Sequence, residues 1–336
     1  MALSASGLIW IVGAGMLAPL WAAAPRRTDR RGLLLIENKG EHTLGIVDPE
    51  AGRMLAKITL SGVTGHEVAA SPDGRFAYVP IYGNSGVGRP GTNGHAIDVI
   101  DLRTRRIAHI IELKPVRPHC AVYASDGMLY VTAELAHAVY VIDPHTLKRV
   151  ASISTEQPES HMLAITPDGK RGYTANVGAG SVTALDLENR KPIAVIHVAK
   201  TVQRISVTPD GRWVFTADQS HPRLAVIDTE SNKVTRWIPL PGIGFGTTVT
   251  PDGRWLLVTL PQLDKIAVID LPSMHVARTV DVPSAPQEIL VRGDNQVAFI
   301  SCDRSEKIAV LNLGNWRVEK LIPVGRVDDG MAWAAM

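Results

Sequence analysis

The sequence predicts an all-β, seven-bladed β-propeller, and its spacing carries that prediction. Counting in steps of 42 residues from His119 reaches one series of positions: His161, Gln203, Phe245, Gln287 and Asp329. One step of 53 back from His119 reaches His66. Each position except the last lies seven residues before the Asp of a turn, as at residues 166–169. Repeats of this length with about four short strands are typical of propeller blades.

Each repeat is expected to hold four antiparallel strands. Apolar runs such as residues 138–143 and 266–270 alternate with polar turns, and no segment after residue 32 has helical periodicity. Seven units of 42, with 11 extra residues in the long step, span residues 32–336. We therefore predict one propeller domain over 32–336.

The two ends of the chain are predicted to complete one blade. Residues 33–36 match the second strand of a repeat, whereas residues 331–334 match the first. The last blade would then take three strands from the N-terminus and one from the C-terminus. Such closure leaves no unpaired strand edge in the circle of blades.

An export leader is expected before the propeller. Residues 1–24 are apolar and end in three alanines, as in a signal peptide, and residues 25–31 form a basic linker. A retained N-terminal membrane anchor over residues 7–24 is the alternative, because about 18 apolar residues is near the lower limit for spanning. Both alternatives predict a periplasmic or extracellular propeller.

Charge and cysteine content exclude some classes of partner. Without the linker, the propeller has 31 basic and 32 acidic residues, so we expect no nucleic-acid partner. A membrane partner is expected only if the leader is retained. Cys120 and Cys302 lie in separate repeats, which makes a mutual disulfide unfavourable.

Three histidines occupy one structural position in consecutive blades, and this position borders the central channel. The imidazoles of His66, His119 and His161 could converge on one zinc or copper ion, with bonds of about 2.0–2.1 Å. Gln203, Gln287 and Asp329 complete a polar ring that is interrupted by Phe245. Metal binding, metal-free ligand binding and a structural role all remain open for this ring.

The 11-residue insertion falls in the loop between the second and third strands of the first repeat, residues 82–94. The strand direction places this loop on the same face as the ring histidines. Its candidate ligand contacts are Tyr82, Arg89 and Asn93, because long loops on rigid scaffolds often carry binding groups. A second register of histidines on this face is expected to make ordinary loop hydrogen bonds: His42, His95 and His137.

The motifs at residues 130–133 and 173–176, with recurring Val-Ile-Asp strand ends, resemble the YVTN repeat family of bacterial β-propellers. The resemblance covers residues 32–336 and implies the fold rather than an activity. That superfamily is similar in turn to seven-bladed lactonases, cell-surface layer proteins, and the heme d1 and nitrous-oxide reductase propellers. Heme d1 propellers have eight blades, which separates them from this chain. No Cys-x-x-Cys-His occurs, so covalent heme is excluded.

Two hypotheses on function follow. The first is an exported propeller that binds a small ligand, metal or protein partner at a histidine-lined channel mouth. The second is a lactonase- or lyase-like enzyme with a ring histidine as base or metal ligand. The resemblance to lactonases implies His, Glu and Arg at the mouth, which His119, Glu134 and Arg117 or Arg204 could supply. The first is favoured, because no nucleophile–base–orienter set is readable from the sequence.

Overall fold

The computed structural model describes residues 31–84, 90–114, 116–326 and 328–336. Within these ranges, 28 strands form seven four-stranded antiparallel sheets around a central channel. The prediction of a seven-bladed propeller with four strands per blade is confirmed. The leader at residues 1–24 and all of the basic linker except Arg31 lie outside the described residues.

The strands are short and follow one another in the order of the repeats. In chain order they are β1 Gly32–Asn38, β2 Thr43–Asp48, β3 Arg53–Thr59, β4 Ala69–Ala70, β5 Phe76–Gly83, β6 Asn93–Asp101, β7 Arg106–Glu112, β8 Pro118–Tyr123, β9 Leu129–Ala133, β10 Ala138–Asp143, β11 Lys148–Ser154, β12 Ser160–Ile165, β13 Arg171–Asn176, β14 Ser181–Asp186, β15 Lys191–His197, β16 Ile205–Val207, β17 Trp213–Asp218, β18 Arg223–Asp228, β19 Lys233–Pro239, β20 Thr247–Val249, β21 Trp255–Leu260, β22 Lys265–Asp270, β23 His275–Asp281, β24 Pro286–Val291, β25 Val297–Cys302, β26 Lys307–Asn312, β27 Arg317–Pro323 and β28 Asp328–Ala335. Three single 3₁₀ turns follow second strands: Lys39–Glu41, Glu134–Ala136 and Asp303–Ser305.

Blades 1 to 6 each consist of four consecutive strands, starting with β4, β8, β12, β16, β20 and β24. Blade 7 has the order β28-β1-β2-β3. The C-terminal strand pairs with β1 in antiparallel register, with Leu34 opposite Trp333 and Gly32 opposite Ala335. The predicted closure by the two ends of the chain is therefore correct. The first strand of each blade lines the channel, and the fourth lies on the outside.

The hydrophobic core is distributed between neighbouring blades rather than concentrated at one point. The second and third strands are buried on both faces, which explains why they are almost continuously apolar. Between blades 7 and 1, for example, Leu44 and Ile46 pack with Val79 and Ile81. Fully burying one such side chain contributes about 1.5–3 kcal/mol. The stacked interfaces hold the inner strands, and the channel side chains they carry, in a fixed order.

The histidines of the second register occupy backbone turns. His42 and His137 follow 3₁₀ turns with φ of 54° and 50°, in the left-handed region. Their backbone carbonyls accept hydrogen bonds from Leu60 and Thr155. The main chain therefore makes the expected loop hydrogen bonds, and the His95 side chain is exposed. In the described part of the chain, no helix has the length and apolar character needed to cross a membrane.

Candidate functional site

The seven register positions form one layer at the end of the channel, which we call the mouth layer: His66, His119, His161, Gln203, Phe245, Gln287 and Asp329. The imidazoles of its three histidines are in contact. The ring centroids of His66 and His119 are 5.1 Å apart, and those of His119 and His161 are 3.5 Å apart. The side chains of His119 and His161 are almost completely buried, at 1% and 2% exposure.

The hydrogen-bond partners of His161 favour one tautomer. Its Nδ1 lies 2.5 Å from Glu134 Oε1, and its Nε2 lies 3.0 Å from the amide nitrogen of Gln203. The amide nitrogen is a donor, and Gln219 donates to the amide oxygen of Gln203. Nε2 of His161 therefore accepts, and the ring proton lies on Nδ1, facing the Glu134 carboxylate.

Glu134 belongs to a second set of residues, which lie at the end of a second strand or directly after it and contact the mouth layer or one another. Lys39 contacts Asp329 at 2.8 Å, and the Tyr82 hydroxyl donates to Glu134 Oε2 at 2.8 Å. Gln219 occupies the same position in blade 4. The sequence predicted Tyr82 as a loop contact, whereas the structure places it in β5, and the set as a whole was not predicted. The signal was available in the repeat register, because β1, β9 and β17 end one residue before Lys39, Glu134 and Gln219.

His119 differs from its neighbours, because neither of its ring nitrogens has a hydrogen-bond partner among the described residues. Tyr82 packs edge-on against it, with ring centroids 5.3 Å apart. Burial, followed by the proximity of His161 and His66, holds the pKa of His119 well below its usual range. The pKa of His66 is also lowered, mainly by burial and then by Lys39. Both imidazoles are therefore neutral near pH 7.

The described arrangement of the histidines is not that of a three-histidine metal centre. Two imidazoles that share a tetrahedral ion, with bonds of about 2.0 Å, have ring centroids about 5 Å apart. His66 and His119 meet this spacing, but the ring centroids of His119 and His161 are only 3.5 Å apart, with an angle of 32° between the rings. No group of three or more His, Cys, Asp or Glu side chains in the described ranges is placed to hold a metal ion. Zinc or copper binding stays a prediction that requires Nε2 of His161 to leave the Gln203 amide and the His161 ring to move away from that of His119.

One residue deeper in the channel, Arg204 crosses from blade 4 to blades 1 and 7. Its Nη1 lies 2.5 Å from Glu67 Oε1, and its Nη2 lies 2.5 Å from Asp329 Oδ1. Glu288 lies 4.0 Å from Nη1. We call Arg204, Glu67 and Asp329 the Arg204 strut. Glu67, Arg204 and Glu288 each follow a mouth-layer residue, so the 42-residue register shifted by one position would have identified them.

The strut shifts the ionisation of its carboxyl groups in opposite directions. Burial raises the pKa of Glu67 to about 7, although Arg204 opposes this shift. Burial and the nearby Glu67 raise the pKa of Glu288. Burial would also raise the pKa of Asp329, but Lys39 and Arg204 outweigh it and hold this pKa well below its usual range. Asp329 is therefore the permanent anion of the strut.

Beneath the mouth layer, a cavity of about 210 Å³ is lined by inner-strand residues of all seven blades. Glu67, Arg204 and Glu288 contribute polar groups to it, and residues such as Val122 and Ile289 contribute apolar wall. The Arg204 strut therefore lies between the histidines and the channel cavity.

The remaining predicted site residues make no side-chain contact with the three histidines among the contacts described above. Asn93 is exposed, and its side-chain oxygen accepts a hydrogen bond from Arg117 at 2.7 Å. Gln287 is half-buried in the mouth layer, and its backbone carbonyl accepts from Thr259. Arg89 lies outside the described residues. The structure thus brings together Tyr82, Gln203, Asp329 and the three histidines.

Comparison with known proteins decides the family. The model of the family described as "Cytochrome D1 heme domain" matches residues 28–235, more than half of the chain. The chain belongs to this family. The number of blades is therefore not a test of membership, and separating this chain from the heme d1 propellers by its seven blades was wrong.

Solved structures support the fold of this family member. A chain of Kuenenia stuttgartiensis hydrazine synthase is similar with a TM-score of 0.68 and 17% identity, covering 80% of this chain and 89% of that chain. A functionally unknown protein from Desulfotomaculum acetoxidans DSM 771 has a TM-score of 0.76 and 13% identity, with 91% and 99% covered. At these identities the likeness shows the propeller fold alone. No curated protein matches the sequence.

The family name implies a heme, but the described residues do not fit one. His119 carries free ring nitrogens, yet both are buried against other rings, which leaves no open face for a planar macrocycle. The channel cavity of about 210 Å³ is smaller than the roughly 300–1,000 Å³ of typical ligand pockets. Its wall carries Glu67, Arg204 and Glu288, and because Arg204 is paired with Glu67, these lining residues offer no unpaired cation to the carboxylates of a heme. We therefore derive no chemistry from heme in this propeller.

Proposed function

We propose that this propeller binds a small ligand at the channel mouth on the histidine face. The observation that carries the proposal is His119, whose buried side chain has two ring nitrogens without a hydrogen-bond partner in the described residues. Leaving such a group unsatisfied costs about 1–3 kcal/mol, so natural proteins rarely retain one without a role. A ligand that accepts from one nitrogen and donates to the other recovers this free energy.

The surroundings of His119 favour an uncharged ligand or a borderline metal ion. Its neutral imidazole offers one donor and one acceptor, and the nearest carboxylates already have partners. Glu134 is bound by His161 and Tyr82, and Asp329 by Lys39 and Arg204. An anion would meet these carboxylates without a free positive charge to compensate them.

Protein purified without an affinity tag and stripped of metal should be titrated with Zn²⁺ and Cu²⁺, with imidazole as the metal-free probe. We expect saturable binding that perturbs the ring resonances of His119 and is lost in His119→Leu. His137→Leu, on the same face but outside the mouth layer, is the matched control. Binding by none of the three probes, or equal binding by His119→Leu, would contradict the proposal.

We also propose that the propeller is exported, with YVTN-type repeats as the source of its blades. The apolar run at residues 1–24 supports export, and a retained anchor over residues 7–24 is the alternative. N-terminal sequencing of the protein recovered from a periplasmic fraction tests both. A mature N-terminus near residue 25 indicates cleavage, whereas an intact N-terminus in the membrane fraction indicates an anchor.

A further inference from the structure

We propose that the mouth is also a site of proton-abstraction chemistry, in which His161, oriented by Glu134, takes a proton from the carbon next to a carbonyl group. The substrate class is a small uncharged carbonyl compound, such as a ketone or a lactone. The inference rests on the proposed function, because the substrate is a ligand of the same mouth. The sequence did not reveal a base and its orienting residue, but the structure brings them together.

The base is His161 Nε2. Because the ring proton lies on Nδ1, the Nε2 lone pair points away from Glu134 and accepts from the Gln203 amide at 3.0 Å. The Gln203 amide therefore occupies the position that the acidic proton of a substrate would take. Gln203 is half-buried and its other contact, with Gln219, is long at 3.4 Å. A ligand that replaces the Gln203 amide would therefore present its own acidic proton to Nε2.

The orienting group is Glu134, and it is held from two sides. One carboxylate oxygen lies 2.5 Å from His161 Nδ1, and the other accepts from the Tyr82 hydroxyl at 2.8 Å. Tyr82 is fully buried, so its ring fixes this contact. A buried carboxylate on Nδ1 stabilises the imidazolium that forms when Nε2 takes up a proton, which is the role of the carboxylate in base–orienter pairs.

The electrophile is His119. Its imidazole is tilted by 32° against that of His161, with centroids 3.5 Å apart, and neither of its nitrogens has a partner in the described residues. In the proposed complex, its N–H donates to the carbonyl oxygen of the ligand. A neutral imidazole can hydrogen-bond a carbonyl oxygen as negative charge develops on it. A phosphate or carboxylate ligand is disfavoured here, since the strut and Glu134 leave no unpaired cation among these residues.

The step balances without an oxidant or a metal. The C–H bond next to the carbonyl breaks, its proton moves to His161 Nε2, and its electron pair becomes the enolate. The enolate oxygen accepts the hydrogen bond from His119. Return of the proton to the same carbon, or of a solvent deuteron in D₂O, regenerates the carbonyl compound and neutral His161.

Deuterium exchange measures this step without knowledge of the natural substrate. Hydroxyacetone and γ-butyrolactone are incubated in D₂O with the full chain, and loss of the α-proton signal is followed by NMR. We expect exchange that slows by about 100-fold or more in His161→Gln, the contribution typical of a general base. His137→Gln on the same face should exchange at the wild-type rate. No exchange above that of His161→Gln with either compound overturns the proposal.

Glu134→Gln tests the positioning role separately from folding. Without the carboxylate the imidazolium is less stable, so the pH midpoint of the exchange rate should move to lower pH. An unmoved midpoint overturns the orienting role.

If His161→Gln does not fold, ¹⁵N NMR of the wild-type protein tests the position of the ring proton instead. A proton on Nε2 of His161 rather than on Nδ1 contradicts the assignment of Nε2 as the base. Ligand binding at His119 without exchange overturns this inference alone, whereas absence of both removes the proposed function as well.

Discussion

The histidines of the mouth layer and the Arg204 strut are neighbours in the channel but differ in how their polar groups are paired. Glu67 and Arg204 each lie one residue after a mouth-layer position, and Asp329 belongs to both sets. In the strut, Arg204 contacts two carboxylates, and Asp329 also contacts Lys39. In the mouth layer, His119 is as deeply buried but has no hydrogen-bond partner in the described residues. A buried ion network, in which both Nη atoms of Arg204 contact carboxylates, stabilises one arrangement of the blades. A buried imidazole with no partner on either nitrogen stabilises the complex with a ligand instead. The difference separates a structural layer from a recognition layer.

The geometry of the ring explains why the two layers can differ so sharply. The strut joins blade 4 to blades 1 and 7 across the channel, so it resists relative movement of distant blades. The histidines come from blades 1, 2 and 3, which are consecutive, and they contact one another along the rim. Loss of one contact between these histidines leaves the ring of blades closed, so His119 can remain without a hydrogen-bond partner among the described residues.

The largest effect is expected from a substitution that breaks the strut. Arg204→Met leaves Glu67 and Asp329 buried beside Glu288 without their cation, and breaking a buried ion pair typically costs about 3–5 kcal/mol. We expect a loss of this size in the free energy of unfolding, measured by denaturant titration. Arg254→Met is the matched control, because its pair with Asp270 is exposed and exposed pairs contribute about 1 kcal/mol or less.

A second variant sharpens this test. Arg204→Met combined with Glu67→Gln removes one of the unpaired carboxylates, so part of the lost stability should return. If the single variant is no less stable than Arg254→Met, the strut is not structural and the contrast between the two layers fails.

The next effect is a pH dependence located in the strut. The pKa of Glu67 is raised from 4.5 to about 7, so the folded protein holds this proton where the unfolded chain has lost it. The contribution of Glu67 to the free energy of unfolding is fully present below about pH 4.5 and is lost as the pH rises through 7. The loss is at most about 3 kcal/mol. The unfolding free energy of the wild type should therefore fall relative to Glu67→Gln between pH 4.5 and 7.

Denaturant titrations of both proteins at several pH values check this slope. Glu230→Gln, at an exposed turn, should run parallel to the wild type over the same range. A wild type that gains stability relative to Glu67→Gln with rising pH would show that Arg204 outweighs burial and that Glu67 is ionised throughout.

The same contrast shows what the sequence could predict. The 42-residue register reports positions that repeat, so it identified the seven blades, the closure and the three histidines of the mouth layer. Arg204 and Glu67 are 137 residues apart in sequence, and their contact depends on facing each other across the channel. Glu134 and Tyr82 occupy one repeat position with different chemistry, so no residue type marked it. The repeat in the sequence predicts the blades and their order. The candidate site depends on residues that differ between repeats, and the repeat does not predict their contacts.

The smallest expected effect has the opposite sign to the first. His119→Leu replaces an unsatisfied buried imidazole with an apolar side chain of similar volume, which removes a penalty of about 1–3 kcal/mol and adds a smaller packing mismatch. We expect the free energy of unfolding to rise by about 1 kcal/mol, while ligand binding at the mouth is lost. His161→Leu is the matched comparison, because it removes one of the two partners of the buried Glu134 carboxylate, leaves only Tyr82, and should destabilise the protein. If both substitutions destabilise it equally, the nitrogens of His119 are satisfied in solution. The mouth layer would then be as structural as the strut.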